Sequence, residues 1–100
     1  MQKYLNLGKR LFPICRSITG NGVRTTLKIL KEFMTKLKIY EVKSGTKVFD
    51  WEVPPEWNIK EAYVKDHNGN KIIDFKRNNL HLVSYSIPIN KKLTKKELFN

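Results

Sequence analysis

The chain has 100 residues, 40% of them hydrophobic, and a formal charge of +11 from 20 basic against 9 acidic side chains. That length holds one domain or part of one. The apolar runs are far too short for a membrane span, the N-terminus has no signal-peptide pattern, and the single cysteine excludes an internal disulfide. A cytoplasmic location and no membrane partner are expected.

The basic excess invites a nucleic-acid reading, but its distribution works against one. Residues 1–50 carry 11 basic and 3 acidic side chains and residues 51–100 carry 9 and 6, mostly as scattered lysines. Only Arg10, Arg16, Arg24 and Arg77 supply the guanidinium forks that phosphates and bases favour. A solvated basic surface explains the charge, and nucleic acid is the disfavoured partner.

Tyr4, Leu7 and Leu11 recur at helical spacing, so residues 2–12 read as a short amphipathic helix that Pro13 stops. Gly8 weakens it by about 1 kcal/mol relative to Ala, so it needs a partner surface. The stretch Leu11 to Arg24 follows, with two arginines, two glycines, the only cysteine, and the hydroxyls of Ser17 and Thr19. Loops that hold a particular shape tend to carry function. From Asn21, the residues Val23, Leu27, Leu30, Met34 and Leu37 recur at spacings of 4, 3, 4 and 3, which predicts a second helix with Met34 and Phe33 as core filler.

From Lys38 the period drops to two. Tyr40 and Val42, a Ser44-Gly45 turn, and then Phe49, Trp51 and Val53 predict a strand pair that Pro54-Pro55 ends. Ala62 to Val64 and Ile72 to Phe75 flank Asp66-His67-Asn68-Gly69-Asn70, an Asn-Gly hairpin. Alternation over Leu80 to Ile87 predicts a last strand. Thr94-Lys95-Lys96-Glu97 has capping-box spacing with only three residues after it, so the chain is expected to be a piece of a longer protein.

Catalytic chemistry is sparse. Ser17, His81 and Asp74 supply triad residue types without supporting spacing, and Cys15 reads as a small buried apolar residue rather than a nucleophile. His67 and His81 lack a second metal ligand at helical spacing. Gly20-Asn21-Gly22 before a helix could cradle an anion, but no strand precedes it and no P-loop lysine follows, so a turn with an N-cap is the simpler reading. Arg16 and Arg24 could clamp a substrate carboxylate or pair with acidic residues.

A resemblance enters at Leu11-Phe12-Pro13-Ile14-Cys15-Arg16-Ser17-Ile18-Thr19-Gly20-Asn21-Gly22-Val23-Arg24. It continues through residues 44–54, Glu56-Trp57-Asn58-Ile59, residues 71–75 and residues 79–86. Over nearly its whole length the chain resembles the N-terminal part of a bacterial family of aminopeptidase-like proteins. The resemblance implies a zinc-exopeptidase-like α/β domain, interrupted by a small β-rich insertion and followed by a winged-helix-like segment. The fold class expected here is α+β: two N-terminal helices, then short, mostly antiparallel strands. Residues 1–56 would open the aminopeptidase-like domain and residues 57–100 would begin the insertion.

By the same resemblance, the zinc ligands of such a hydrolase lie beyond these positions and no catalytic centre falls within them. Arg16, Ser17, Thr19, Gly20 and Arg24 match its N-terminal motif and are the candidates to line the substrate cleft. The full-length substrate would be a peptide or amino-acyl compound. The alternative is a small basic module binding nucleic acid or another polyanion. Uncovered apolar strand faces would also favour self-association.

Overall fold

A computed structural model describes residues 1–100. Helix α1 spans Gln2–Leu11 and α2 spans Asn21–Phe33. Strands β1 (Lys47–Val48) and β2 (Trp51–Glu52) form one antiparallel hairpin, and β3 (Tyr63–Lys65) and β4 (Lys71–Asp74) form a second. A 3-10 turn covers Asn79–His81, and α3 covers Lys95–Leu98. The chain is thus α+β, helices first and short antiparallel strands after, as its sequence implied.

Local signals explain most of these elements. Pro13 lies just past α1, where it cannot continue the helix. In the second hairpin the Asp66 carboxylate accepts the backbone N–H groups of Asn68 and Asn70, each at 2.9 Å, and Gly69 takes φ +85°. Those two N–H bonds, together with the amide of the Asn70 side chain, hold the Asp66 carboxyl below its ordinary range, the Asn70 backbone bond being the largest cause. At α3 the Thr94 hydroxyl accepts the Glu97 N–H, and the Glu97 carboxylate accepts the Thr94 N–H at 2.7 Å, which completes the capping box.

Four expectations are corrected. No strand forms over residues 38–42. The first hairpin instead pairs Lys47 with Glu52 and Val48 with Trp51, so Phe49-Asp50 is its two-residue loop rather than part of a strand. The Gly45 N–H reaches the Val53 carbonyl at 2.9 Å and the Val53 N–H reaches that of Thr46, so the ladder closes without residues 38–42. Secondly, α2 stops at Phe33, and Met34 leaves helical geometry at φ −113°, ψ 79°. Leu37 therefore lies off the helix whose spacing it continues.

Thirdly, Leu80 to Ile87 is not a strand. The Asn78 side chain accepts the Leu80 N–H at 3.0 Å and starts a 3-10 turn, while the Asn79 amide donates to the Phe12 carbonyl at 2.9 Å. A local side-chain bond has outcompeted extended pairing, and His81 sits on that turn. Fourthly, there is no apolar core. Of 100 residues one is buried, and no hydrophobic side chain is; Met34 is 48% exposed and Phe33 38%. Cys15 is half-buried.

The apolar stripe of α2 is partly covered, since Val23, Thr26, Leu27 and Leu30 are half-buried. Helices α1 and α2 are tied by Arg10, whose guanidinium donates to both Glu32 oxygens at 2.7 and 3.0 Å and lies 6.0 Å from the Phe33 ring. The molecule is open, with a radius of gyration of 17.7 Å and extents of 52 × 41 × 19 Å. A compact chain of this length would measure about 13 Å. Since cooperativity comes from a shared core, the isolated chain should melt over a broad range without a single step and should bind a hydrophobic dye such as ANS. A sharp thermal transition by circular dichroism with no dye binding would contradict the open fold.

Candidate functional site

The structure concentrates its long-range polar contacts where the N-terminus of α2 meets residues 55–58. Gly20 is the N-cap of α2, at φ +97°, and is the one buried residue. A Cβ there would fall 2.3 Å from the Trp57 carbonyl oxygen and 2.7 Å from Asn58 Oδ1. Only glycine allows both the dihedral and the approach. Gly22 is constrained by space alone, since a Cβ would come 2.1 Å from the Cys15 carbonyl oxygen.

Once the segments touch, side chains lock them. Asn58 Oδ1 accepts the Asn21 N–H at 2.7 Å, filling a first-turn donor that a helix cannot satisfy internally. The turn with an N-cap is therefore what forms, and its side-chain acceptor comes from 37 residues away. The Trp57 N–H donates to Thr19 Oγ1 at 3.1 Å, and that hydroxyl lies 2.5 Å from the Tyr85 hydroxyl. Tyr85 also donates to the Pro55 carbonyl at 3.1 Å, its ring stacks on Trp57 at 6.0 Å, and Trp57 Nε1–H donates to the Ser86 carbonyl. Tyr85 thereby holds φ +64°.

Arg24, one turn into α2, closes the edge. Its guanidinium makes a bidentate pair with Glu56, 2.5 and 2.8 Å, and a third bond to Asn21 Oδ1 at 3.0 Å. Glu41 lies 3.9 Å away. The bond from Arg24, supplemented by that from the Asn58 amide, lowers the Glu56 carboxyl from its ordinary 4.5 to about 2. The same pairing raises Arg24.

The five candidate cleft residues thus have defined places. Thr19, Gly20 and Arg24 meet in this clamp. The Ser17 hydroxyl bonds the Thr19 backbone, 2.6 Å to its carbonyl and 3.3 Å from its N–H. Arg16 points to the other side, donating to the Leu11 carbonyl at 2.9 Å and to Thr26 Oγ1 at 3.2 Å, which ties the end of α1 to α2. Sequence reasoning passed over Glu56, Asn58 and Tyr85 as site residues. The Glu56-Trp57-Asn58 stretch within the resemblance was the available signal for the first two.

The donor set does not fit a zinc site. No three His, Cys, Asp or Glu side chains converge, His81 Nδ1 lies 3.3 Å from the Asp74 carbonyl, and Asp66 is taken up by its own turn. A shallow hollow of about 340 Å³ runs between Phe12 to Arg16 and Asn79 to Ser84, with Cys15 and Arg16 in its lining and no carboxylate or imidazole there. No helix is long and apolar enough to cross a membrane.

The chain is thus an open α+β segment braced by a polar clamp. The chain belongs to the family described as "Domain of unknown function (DUF4910)", whose profile matches residues 5–98. It is 63% identical over 93 residues to the Clostridium acetobutylicum "Putative polysaccharide biosynthesis protein with aminopeptidase-like domain", covering 93% of this chain and 21% of that protein. It is similar, at TM-score 0.92 and 60% identity, to the crystal structure of a "putative peptidase" from Clostridium acetobutylicum, over 98% of this chain and 23% of that one. A shorter match, 39% identical over 64 residues, is to "Flap endonuclease 1" of Lachancea thermotolerans, covering 62% of this chain and 17% of that protein. The chain spans about a fifth of the length of the relatives it matches, and in the two Clostridium acetobutylicum ones an N-terminal part.

Two outcomes follow from the clamp. Gly20→Ala forces a Cβ against backbone and costs about 1–3 kcal/mol for the dihedral alone. By NMR hydrogen exchange, the Trp57 loop amide and the first-turn Asn21 amide of α2 should be protected in the native chain and lose that protection in the variant. The Glu56 carboxyl is depressed, so the unfolded state takes up the proton first as pH falls, and the clamp's stability is lost on acidification. Trp57 emission in a Trp51→Phe background should stay constant from pH 7 to about 5 and shift to the red as pH falls from about 4.5 towards 2. A shift centred above pH 5 would contradict the assignment to Glu56.

Proposed function

We propose that the chain is the opening structural part of a zinc-dependent aminopeptidase-like hydrolase acting on a peptide or amino-acyl compound. The observation that carries this reading is the match, over nearly the whole chain, to a protein with an aminopeptidase-like domain at 63% identity and to a putative peptidase structure at 60%, a level at which the fold is shared. In this reading residues 16–24 stand beside the substrate cleft as its wall. Their hydrogen-bonding groups hold the chain's own backbone and Glu56, so they shape the cleft without gripping substrate. Zinc, its ligands and the general base belong to the larger remainder, since the donor set here does not fit a metal.

The test uses the full-length Clostridium acetobutylicum protein with this chain in place of its matching segment. That chimera should bind zinc and release N-terminal residues from aminoacyl or peptide substrates. The 100-residue chain alone should do neither. Zinc-independent turnover, or none across a broad aminoacyl panel, would refute the reading.

A second reading, a polyanion-binding module, is favoured by the charge of +11 and the partial match to a flap endonuclease. Against it, Arg10, Arg16 and Arg24 are committed to Glu32, to Leu11 and Thr26, and to Glu56. Arg77 alone among the arginines makes no side-chain bond. Binding driven by phosphate contacts strengthens steeply as salt falls. The aminopeptidase-like reading predicts no measurable affinity for single- or double-stranded DNA at physiological salt, and measurable affinity there would favour the polyanion-binding module.

A further inference from the structure

Two non-glycine residues occupy the left-handed region, Phe49 at φ +52° and Tyr85 at φ +64°. A bulky residue there is an outlier, and such geometry persists only where surrounding contacts enforce it. For Tyr85 the contacts lie within the chain: two hydroxyl bonds and a stacked tryptophan. Phe49 has no equivalent. It sits at the tip of the β1–β2 hairpin with its side chain 102% exposed, and no ring of the chain stacks on it. Trp51, two residues on, is 52% exposed.

We infer that Phe49 is an anchor that enters an apolar pocket on the larger body of the aminopeptidase-like protein. The inference rests on the reading proposed above. Three observations select this occupant. The chain exposes 9164 Å², whereas a compact monomer of its mass would expose about 5,900 Å². The excess is several times the roughly 800 Å² per partner of an ordinary contact and has the scale of an obligate interface. A second copy would set one +11 chain against another, and like charges oppose that docking. Nucleic acid fits the tip poorly, because Asp50 and Glu52 line the same surface hollow as Phe49 and repel phosphate, while Lys47 brings the tip close to neutral, which suits an apolar pocket.

Phe49→Gly separates the possibilities by sign. At a tip free in solution, glycine relieves an unfavourable dihedral and costs nothing. Seated in a pocket, Phe49 is lost as packing. In the chimera described above, Phe49→Gly should lower the melting temperature by about 3 °C or more, and Phe49→Leu should retain at least half of that difference. A chimera that folds with Phe49 or Leu but not with Gly supports the anchor equally. An unchanged or raised melting temperature on Phe49→Gly overturns the inference. So does a chimera that fails to fold with Phe49 in place, or an isolated chain that forms a dimer which Phe49→Gly dissolves. Aminopeptidase turnover is read separately. If it is absent from every form while the melting temperature falls as expected, the enzymatic reading fails and the anchor stands.

Discussion

The joining of α2 to residues 55–58 depends on one close approach, the backbone of Gly20 against the Trp57 carbonyl and the Asn58 side chain. With no side chain at position 20, the N-terminus of α2 and residues 55–58 come near enough for Asn58 to cap the helix, for Arg24 to engage Glu56, and for Thr19 to accept the Trp57 N–H. Tyr85 then joins from the far end of the sequence and fixes the return of the chain over Pro55. In a molecule with no buried hydrophobic side chain, this network does what a core does elsewhere. It specifies which segments meet, because its donors and acceptors find partners in only one arrangement.

A polar clamp without a core has a consequence for stability. Exposed ion pairs contribute little by themselves, so Arg10–Glu32 and Arg24–Glu56 direct the fold more than they stabilise it. Stabilisation on the usual scale comes from apolar burial, and here the apolar faces of the first helices are only partly covered and Phe49 and Trp51 of the β1–β2 hairpin are exposed. In the reading proposed above, the clamp sets their relative positions and the larger protein would cover them. In this division a loop dense in arginines, hydroxyls and glycines commits its polar groups to the chain's own backbone and to Glu56.

The elements legible in the sequence are those whose cause is local. Pro13 marks the end of α1, the Asn-Gly turn fixes the β3–β4 hairpin, and the Thr94–Glu97 spacing marks α3. Phe49-Asp50 was hidden because a phenylalanine carries no signal for positive φ, so alternation through it read as a strand. Residues 80–87 alternate as a strand would, yet Asn78 and Asn79 bend the chain into a 3-10 turn and dock it on the Phe12 carbonyl. The clamp was half legible: Gly20, Thr19 and Arg24 stood out by type and position. Glu56, Asn58 and Tyr85 did not, since their roles arise only from contacts spanning 32 to 66 residues.

The most direct test of the account is a comparison of stability with turnover for Arg24→Ala in the chimeric full-length protein. If residues 16–24 brace the cleft wall, the melting temperature falls while kcat per folded molecule and KM remain within about twofold of the parent. A collapse of kcat, or a large rise in KM, at an unchanged melting temperature would show that Arg24 acts on substrate, and the bracing account would be wrong.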